Sequence, residues 1–157
     1  MSKNIDLVEF ELSGERYALD IHLAREIVEM MPITPIPRAP AYITGVINLR
    51  GEITSIISLN NLLGLPANDD VENRKIIVLM SETAGGSNVG IIVDDVHSVI
   101  SVSENDIEQM GEGISSDISS FVKGIIKVGG DEDYKKRGLV IWIDMLRVLK
   151  ELVNQVQ

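Results

Sequence analysis

The sequence predicts a mostly β protein: two similar small β units of about five strands each, closed by one C-terminal amphipathic helix. Three observations carry this expectation. Of 157 residues, 22 are Ile and 16 are Val, a composition that suits a pleated surface better than a helix. Strand-length apolar runs recur along the chain, separated by Gly, Asn, Asp and Ser. The first half can also be laid on the second. At an offset of 72, Ala18-Leu19, Ile21, Ala24, Ile27 and Val28 meet Gly90-Ile91, Val93, Val96, Val99 and Ile100. At 79, Tyr42-Ile43-Thr44-Gly45-Val46-Ile47 meets Phe121-Val122-Lys123-Gly124-Ile125-Ile126. At 86, Ile57-Ser58-Leu59 meets Ile143-Asp144-Met145. Three matches in one order argue for an internal duplication whose second copy has longer loops.

Each element follows from local pattern. Asp6 to Leu12 alternates, Ser13-Gly14-Glu15 turns, and Tyr17 to Ile21 returns as a hairpin. A strand is expected at Glu26 to Met31. Pro32, Pro35, Pro37 and Pro40 then enforce an extended crossover that cannot lie in a central ladder. Tyr42 to Leu49 and Ile53 to Leu59 flank the turn Arg50-Gly51-Glu52. One helical turn, Leu59 to Leu63, is stopped by Gly64 and Pro66. The polar stretch Ala67 to Asn73 reads as a linker between subdomains at about 5–66 and 75–157. Strands follow at Lys75 to Met80, Val89 to Val93, Val96 to Val102, Phe121 to Val128 and Leu139 to Ile143, with a helical turn near Asn105 to Met110. From Asp144, placed as an N-cap, the apolar residues Met145, Leu146, Val148, Leu149, Leu152, Val153 and Val156 have helical spacing.

Composition excludes several functions. The formal net charge is −10, and a chain that repels phosphate is poorly made for nucleic acid or for anionic membrane surfaces. No apolar run approaches a membrane span, and the N-terminus lacks a signal peptide's apolar stretch. With no cysteine there is no disulfide or thiolate chemistry. These features together predict a soluble cytoplasmic protein.

Catalytic and metal chemistry find little footing. His22 and His97 each lie near acidic residues, and Ser98 or Ser101 would complete a Ser-His-Asp set. Sequence neighbours on a strand, however, face opposite sides. Asp94-Asp95 reads as a polar break between buried strands sooner than as a metal site. Asn68 to Asn73 has the composition of a calcium loop without its mid-loop Gly or closing Glu. Gly85-Gly86 and Gly129-Gly130 open no helix and precede no Lys-Ser/Thr. The Pro-x-x-Pro steps read as a stiff crossover. No cofactor and no metal are expected. One segment stands out: in Tyr42 to Gly64 the only charges are Arg50 and Glu52, so a lone guanidinium sits rigidly at a strand end, suited to multi-donor contact with a partner.

Gly45-Val46-Ile47-Asn48-Leu49-Arg50-Gly51 resembles the signature of the chemotaxis coupling protein family, CheW. Tyr17 to Ile21 with Glu26-Ile27, the proline segment from Ile33 to Gly45, Val89 to Asp94 with Val96, and Phe121 to Gly124 fit further blocks of that family in order. The resemblance implies two SH3-like five-stranded β-barrels, with strand exchange between them allowed. It implies a non-catalytic adaptor of a two-component signalling system, joining a chemoreceptor's cytoplasmic helical hairpin to the regulatory domain of a histidine kinase. Receptor contact in the groove between barrels then implicates Arg50, Asn48, Leu49, Glu26, Ala24 and Val96. It does not place the kinase face. The chain departs from the pattern where the family has Pro (Ser55), Asp (Ser58) and a basic residue (Asn60). Competing readings are a small-ligand β-barrel, a hydrolase using His22 or His97, and a regulatory module of another two-component system.

Overall fold

A computed structural model describes residues 4–66, 73–108, 121–127 and 138–156. In order they form β1 (Asn4–Leu12), β2 (Glu15–Asp20), β3 (Ala24–Glu29), β4 (Ile43–Leu49), β5 (Glu52–Ser58), α1 (Leu59–Leu63), β6 (Lys75–Leu79), β7 (Val89–Val93), β8 (Asp95–Ser103), β9 (Ile107–Glu108), β10 (Val122–Lys127), β11 (Leu139–Ile143) and α2 (Met145–Val156). The strands make two mixed sheets, ordered β8-β1-β2-β11-β10-β9 and β3-β6-β7-β5-β4. The expected strands are present with their ends shifted by a few residues. The strand expected to reach Met31 stops at Glu29. The helical turn expected near Asn105 is a 3-10 turn at Glu104–Asp106, followed at once by β9. The linker 67–72, the second glycine pair 129–130 and Met110 lie outside the described residues.

The chain divides into two compact units, neither continuous in sequence. One comprises 1–9, 15–21 and 98–157, and the other 10–14 and 22–97. Each has its own core. In the first, Leu7, Ala18, Val102, Ile126 and Val140 are buried with Ile5, Ile100, Ile107 and Trp142 against them. In the second, Ile47, Leu49, Ile56, Ile76 and Val78 are buried against Val28, Met30, Met31, Ile33 and Ile92. Burying a Leu or Ile side chain contributes about 1.5–3 kcal/mol, so these clusters, more than any charged contact, hold each unit.

One pairing scheme occurs in both units. In the second, β4 and β5 run antiparallel with Ile43 opposite Ile57 and Gly45 opposite Ile56, a bulge lying between. β5 then pairs parallel with β7, Ile56 opposite Gly90. In the first, β10 and β11 run antiparallel with Val122 opposite Ile143 and Gly124 opposite Trp142, again with a bulge between. β11 pairs parallel with β2, Trp142 opposite Ala18. These partners are related by the offsets 72, 79 and 86 found in the sequence.

The outer edges match too. A segment crosses β4 through Thr34, which exchanges both backbone hydrogen bonds with Val46 at 2.9 Å. In the other unit β9 covers β10, Glu108 opposite Ile125. The crossing chain explains the glycine at each bulge. A Cβ on Gly45 would press into the Thr34 carbonyl and lie 2.8 Å from Ile33 Cγ2, and one on Gly124 would lie 2.6 Å from Ile107 Cγ2.

The residues that depart from the family pattern have definite roles. The Ser55 amide donates to the Asn88 carbonyl at 3.0 Å, a bond proline could not make. Ser58 Oγ accepts the Asn61 amide at 3.3 Å and caps α1, which Gly64 ends at φ 71°. Buried Asn60 donates to buried Asp94 at 3.2 Å. Asp94 also accepts the Ser13 amide at 2.7 Å, so its carboxylate pins the β1–β2 hairpin tip to α1. Asp144 caps α2, accepting the Arg147 amide at 3.2 Å. Met145, Val148 and Leu149 of that helix are buried while Leu146 stays 45% exposed.

Candidate functional site

The strongest constellation lies where the β4–β5 turn meets β3. Arg50 (φ 51°) and Gly51 (φ 87°) are the two residues of a type I′ turn, the connection whose twist matches antiparallel strands. Asn48 Oδ1 accepts the Gly51 amide at 2.8 Å and braces it. Holding a non-glycine residue at positive φ is unfavourable, by about 1 kcal/mol, so the turn keeps Arg50 against its local preference.

Arg50 forms an ion pair with Glu26, and Arg25 forms a second with Glu52 at 3.4 Å. Adjacent residues of a regular strand point to opposite faces. Here the β3 ladder slips between Ala24 and Glu26, and a bulge re-aims side chains, so both Arg25 and Glu26 reach the one turn. The pairs are half-exposed, and such pairs contribute only about 0–1 kcal/mol each. Their effect is orientation: they fix two guanidinium planes on a rigid surface. Beside them Ile53 is 64% and Ile27 44% exposed. An apolar surface edged by fixed, planar donors is the composition of a protein-docking patch.

The structure brings Arg50, Glu26 and Asn48 together, with Ala24 two residues along β3. The Leu49 side chain is 6% exposed and belongs to the core. Val96, on β8, accepts no side chain of this group. Its amide donates to Asp95 at 2.8 Å. Sequence reading missed the Arg25–Glu52 pair and the exposed Ile53 and Ile27. The missing signal was the bulge, which only pairing reveals.

Around His97 no Ser-His-Asp set is assembled among the described residues. His97 is exposed, with Nε2 3.6 Å from Glu11 Oε1, and no described hydrogen bond joins it to Ser98 or Ser101. Among the described residues no three His, Asp or Glu side chains gather as metal ligands. Nor is any described helix long and apolar enough to cross a membrane.

A second polar cluster lies in the other unit. Buried Asp20 accepts the Trp142 indole N–H and pairs with Lys123 at 3.3 Å. Lys123 Nζ sits 4.8 Å from the centre of the Trp142 ring, within cation–π range.

Comparison with known proteins agrees with this picture. The family described as CheW-like domain matches residues 6–153. The chemotaxis protein CheW of Rhizobium meliloti is 34% identical over 125 residues, 80% of this chain and 79% of that protein. That of Thermotoga maritima is 28% identical over 150 residues, 96% of this chain and 91% of the other. The crystal structure of scaffolding protein TtCheW from Thermoanaerobacter tengcongensis superposes with TM-score 0.74 at 33% identity, covering 90% of this chain and 85% of that one. A family match from residue 6 to residue 153, with a relative and a solved scaffolding protein at 34% and 33% identity over most of the chain, places the chain in the CheW-like family of non-catalytic chemotaxis scaffolding proteins.

Proposed function

We propose that this scaffold works in the cytoplasm, coupling the helical tip of a chemoreceptor to the regulatory domain of a histidine kinase. Each unit acts as a small SH3-like barrel, the two being copies of one ancestral unit that have exchanged strands. The matched registers of β4–β5–β7 and β10–β11–β2 support the duplication. The ion pairs from β3 to the β4–β5 turn support closure, because β3 and β4 end the strand order.

The receptor surface is built on Arg50, Glu26, Asn48 and the Leu49 backbone, with Ala24 and Val96 at its margin. The single observation that carries it is the Arg50 guanidinium, held by Glu26 on a type I′ turn beside exposed Ile53. An amphipathic helix of the receptor lays its apolar stripe over the isoleucines while Arg50 sets its register.

Arg50→Glu is expected to weaken binding of a receptor-tip fragment by roughly 30-fold, as loss of an arginine hot spot does, while the melting temperature stays near wild type. Arg50→Glu with Glu26→Arg restores the ion pair but reverses its polarity, and binding stays lost. Unchanged receptor affinity in the single variant overturns the assignment.

A further inference from the structure

The turn that carries Arg50 is also the site of a second ion pair, and the fold does not ask for it. Arg25 and Glu26 come from the bulge of β3, and Arg50 and Glu52 from the β4–β5 turn. Among the described residues these four side chains form two separate pairs, Arg50 with Glu26 and Arg25 with Glu52. By the offsets that relate the two units, Arg25, Glu26 and Arg50 correspond to His97, Ser98 and Gly129. The matching pairing scheme is therefore built without this set of charges. Half-exposed pairs also add little stability.

The two pairs differ in tightness. Arg50 lies in direct contact with Glu26, whose side chain is 27% exposed. Arg25 reaches Glu52 at 3.4 Å, beyond the roughly 2.7–2.9 Å usual for a charge-assisted bond. Both ends of this looser pair are open to solvent, Arg25 at 39% and Glu52 at 53%. A guanidinium has about five N–H donors, so one held this loosely has donors to spare and can turn to a new acceptor.

Charge accounting gives the looser pair a use. The chain carries a formal net charge of −10, so it repels an approaching carboxylate and attracts basic groups without any dedicated device. Arg50 alone does not reverse this locally, because Glu26 already offsets its charge. A second carboxylate on the same guanidinium would stand beside the first and be repelled by it. Arg25 adjoins Glu26 in the chain and reaches the same turn. With Arg25 the patch sets two cations against two acids, and without it one against two.

We propose that Arg25 is a specificity-determining residue of the receptor surface, the second cation that admits a receptor helix bearing a carboxylate on the polar flank of its apolar stripe. The stripe covers exposed Ile27 and Ile53, the helix carboxylate takes Arg50, and Arg25 turns from Glu52 to Glu26. A helix with a neutral residue at that flank gives Arg50 no such partner, and the difference between the two is the selectivity. The inference rests on the function proposed above and adds which charge the receptor must present.

The test is titration calorimetry of the full chain with a receptor-tip helical hairpin, unmodified and with each Glu or Asp replaced singly by Gln or Asn. In the wild-type chain one replacement should weaken binding about tenfold. In Arg25→Gln the unmodified hairpin should bind about fivefold more weakly, and that same replacement should then cost only about twofold. Arg25→Lys keeps the charge and should restore most of the discrimination. A side chain that merely braced the turn would lower affinity for every hairpin alike, and that outcome overturns the inference. So does full discrimination in Arg25→Gln, or a wild-type chain indifferent to every replacement, and each of these leaves the proposed function standing. A wild-type chain that binds no hairpin overturns the proposed function, and the role of Arg25 falls with it.

Discussion

The β4–β5–β7 and β10–β11–β2 assemblies share register, bulge and crossing segment, yet their side chains differ in one direction. At the positions matched by the offsets, the second unit carries Ile56, Ile92, Val89 and Thr44. The first carries Trp142, Asp20, Tyr17 and Lys123. The aliphatic version buries Ile56 completely. The polar version inserts a hydrogen-bonded cluster of indole, carboxylate and ammonium. The backbone scheme is thus fixed by steric demands at few positions, chiefly the two bulge glycines, and the remaining positions are free to specialise. The second unit is aliphatic at these positions and carries exposed arginines at positive φ, Arg50 and Arg38, on its exterior. The first has specialised around a buried acid.

The sharpest way to break this comparison is at the glycines. Gly45 has φ 153° and backbone in its way, whereas Gly124 mainly faces the Ile107 side chain. A carbonyl in a bridged segment cannot retreat, while an isoleucine can turn. Gly45→Ala should cost about 3 kcal/mol and Gly124→Ala about 1 kcal/mol, read from urea unfolding midpoints. Equal costs would mean that the two crossing segments hold their glycines equally firmly, and that the carbonyl of the bridged segment yields as readily as the isoleucine.

Next in size is the buried acid. Asp20→Ala strips the Trp142 indole N–H and the Lys123 ammonium of this shared acceptor, at an expected cost of about 2 kcal/mol. Asp20→Asn keeps an acceptor for the indole and should cost less. Trp142 is the sole tryptophan, so its emission reports the first unit alone, and the emission maximum should move to longer wavelength in Asp20→Ala. Hydrogen exchange in β6 and β7, which belong to the other unit, should change less than in β10 and β11. Uniform loss of protection would sink the view that each unit has its own support.

The sequence made much of this legible, for physical reasons. Alternation and punctuation marked the strands, and Asp144 and Gly64 marked helix ends, because those signals are local. The offsets that relate the two pairing schemes could be read because the matched strands share their apolar spacing. What was hidden is non-local. Nothing near Glu26 announces that a bulge turns it toward Arg50, 24 residues away. Asp20 meets Trp142 across 122 residues. The parallel pairings of β5 with β7 and β11 with β2 leave no mark on short apolar runs. Leu49 shows a further limit: a family motif names a position, while strand alternation beside the turn sends that side chain inward.

The smallest effect concerns Tyr17, whose counterpart by offset is Val89. Burial raises the Tyr17 hydroxyl above the usual value of 10.0, and the nearby Glu15 carboxylate raises it further. A raised folded-state value means that the neutral phenol is favoured by folding. The associated stability is fully present below the unfolded value and is lost as pH rises through the folded one. The first unit should therefore weaken in alkali more steeply than the second. In unfolding titrations from about pH 9 to about pH 11, Tyr17→Phe should flatten the decline seen by Trp142 emission, because phenylalanine has no proton to lose. Exchange protection in β6 and β7 should follow the same course in both proteins. If the alkaline limb is identical with and without the hydroxyl, the polar specialisation of the first unit does not extend to Tyr17, and the cluster around Asp20 is its whole extent.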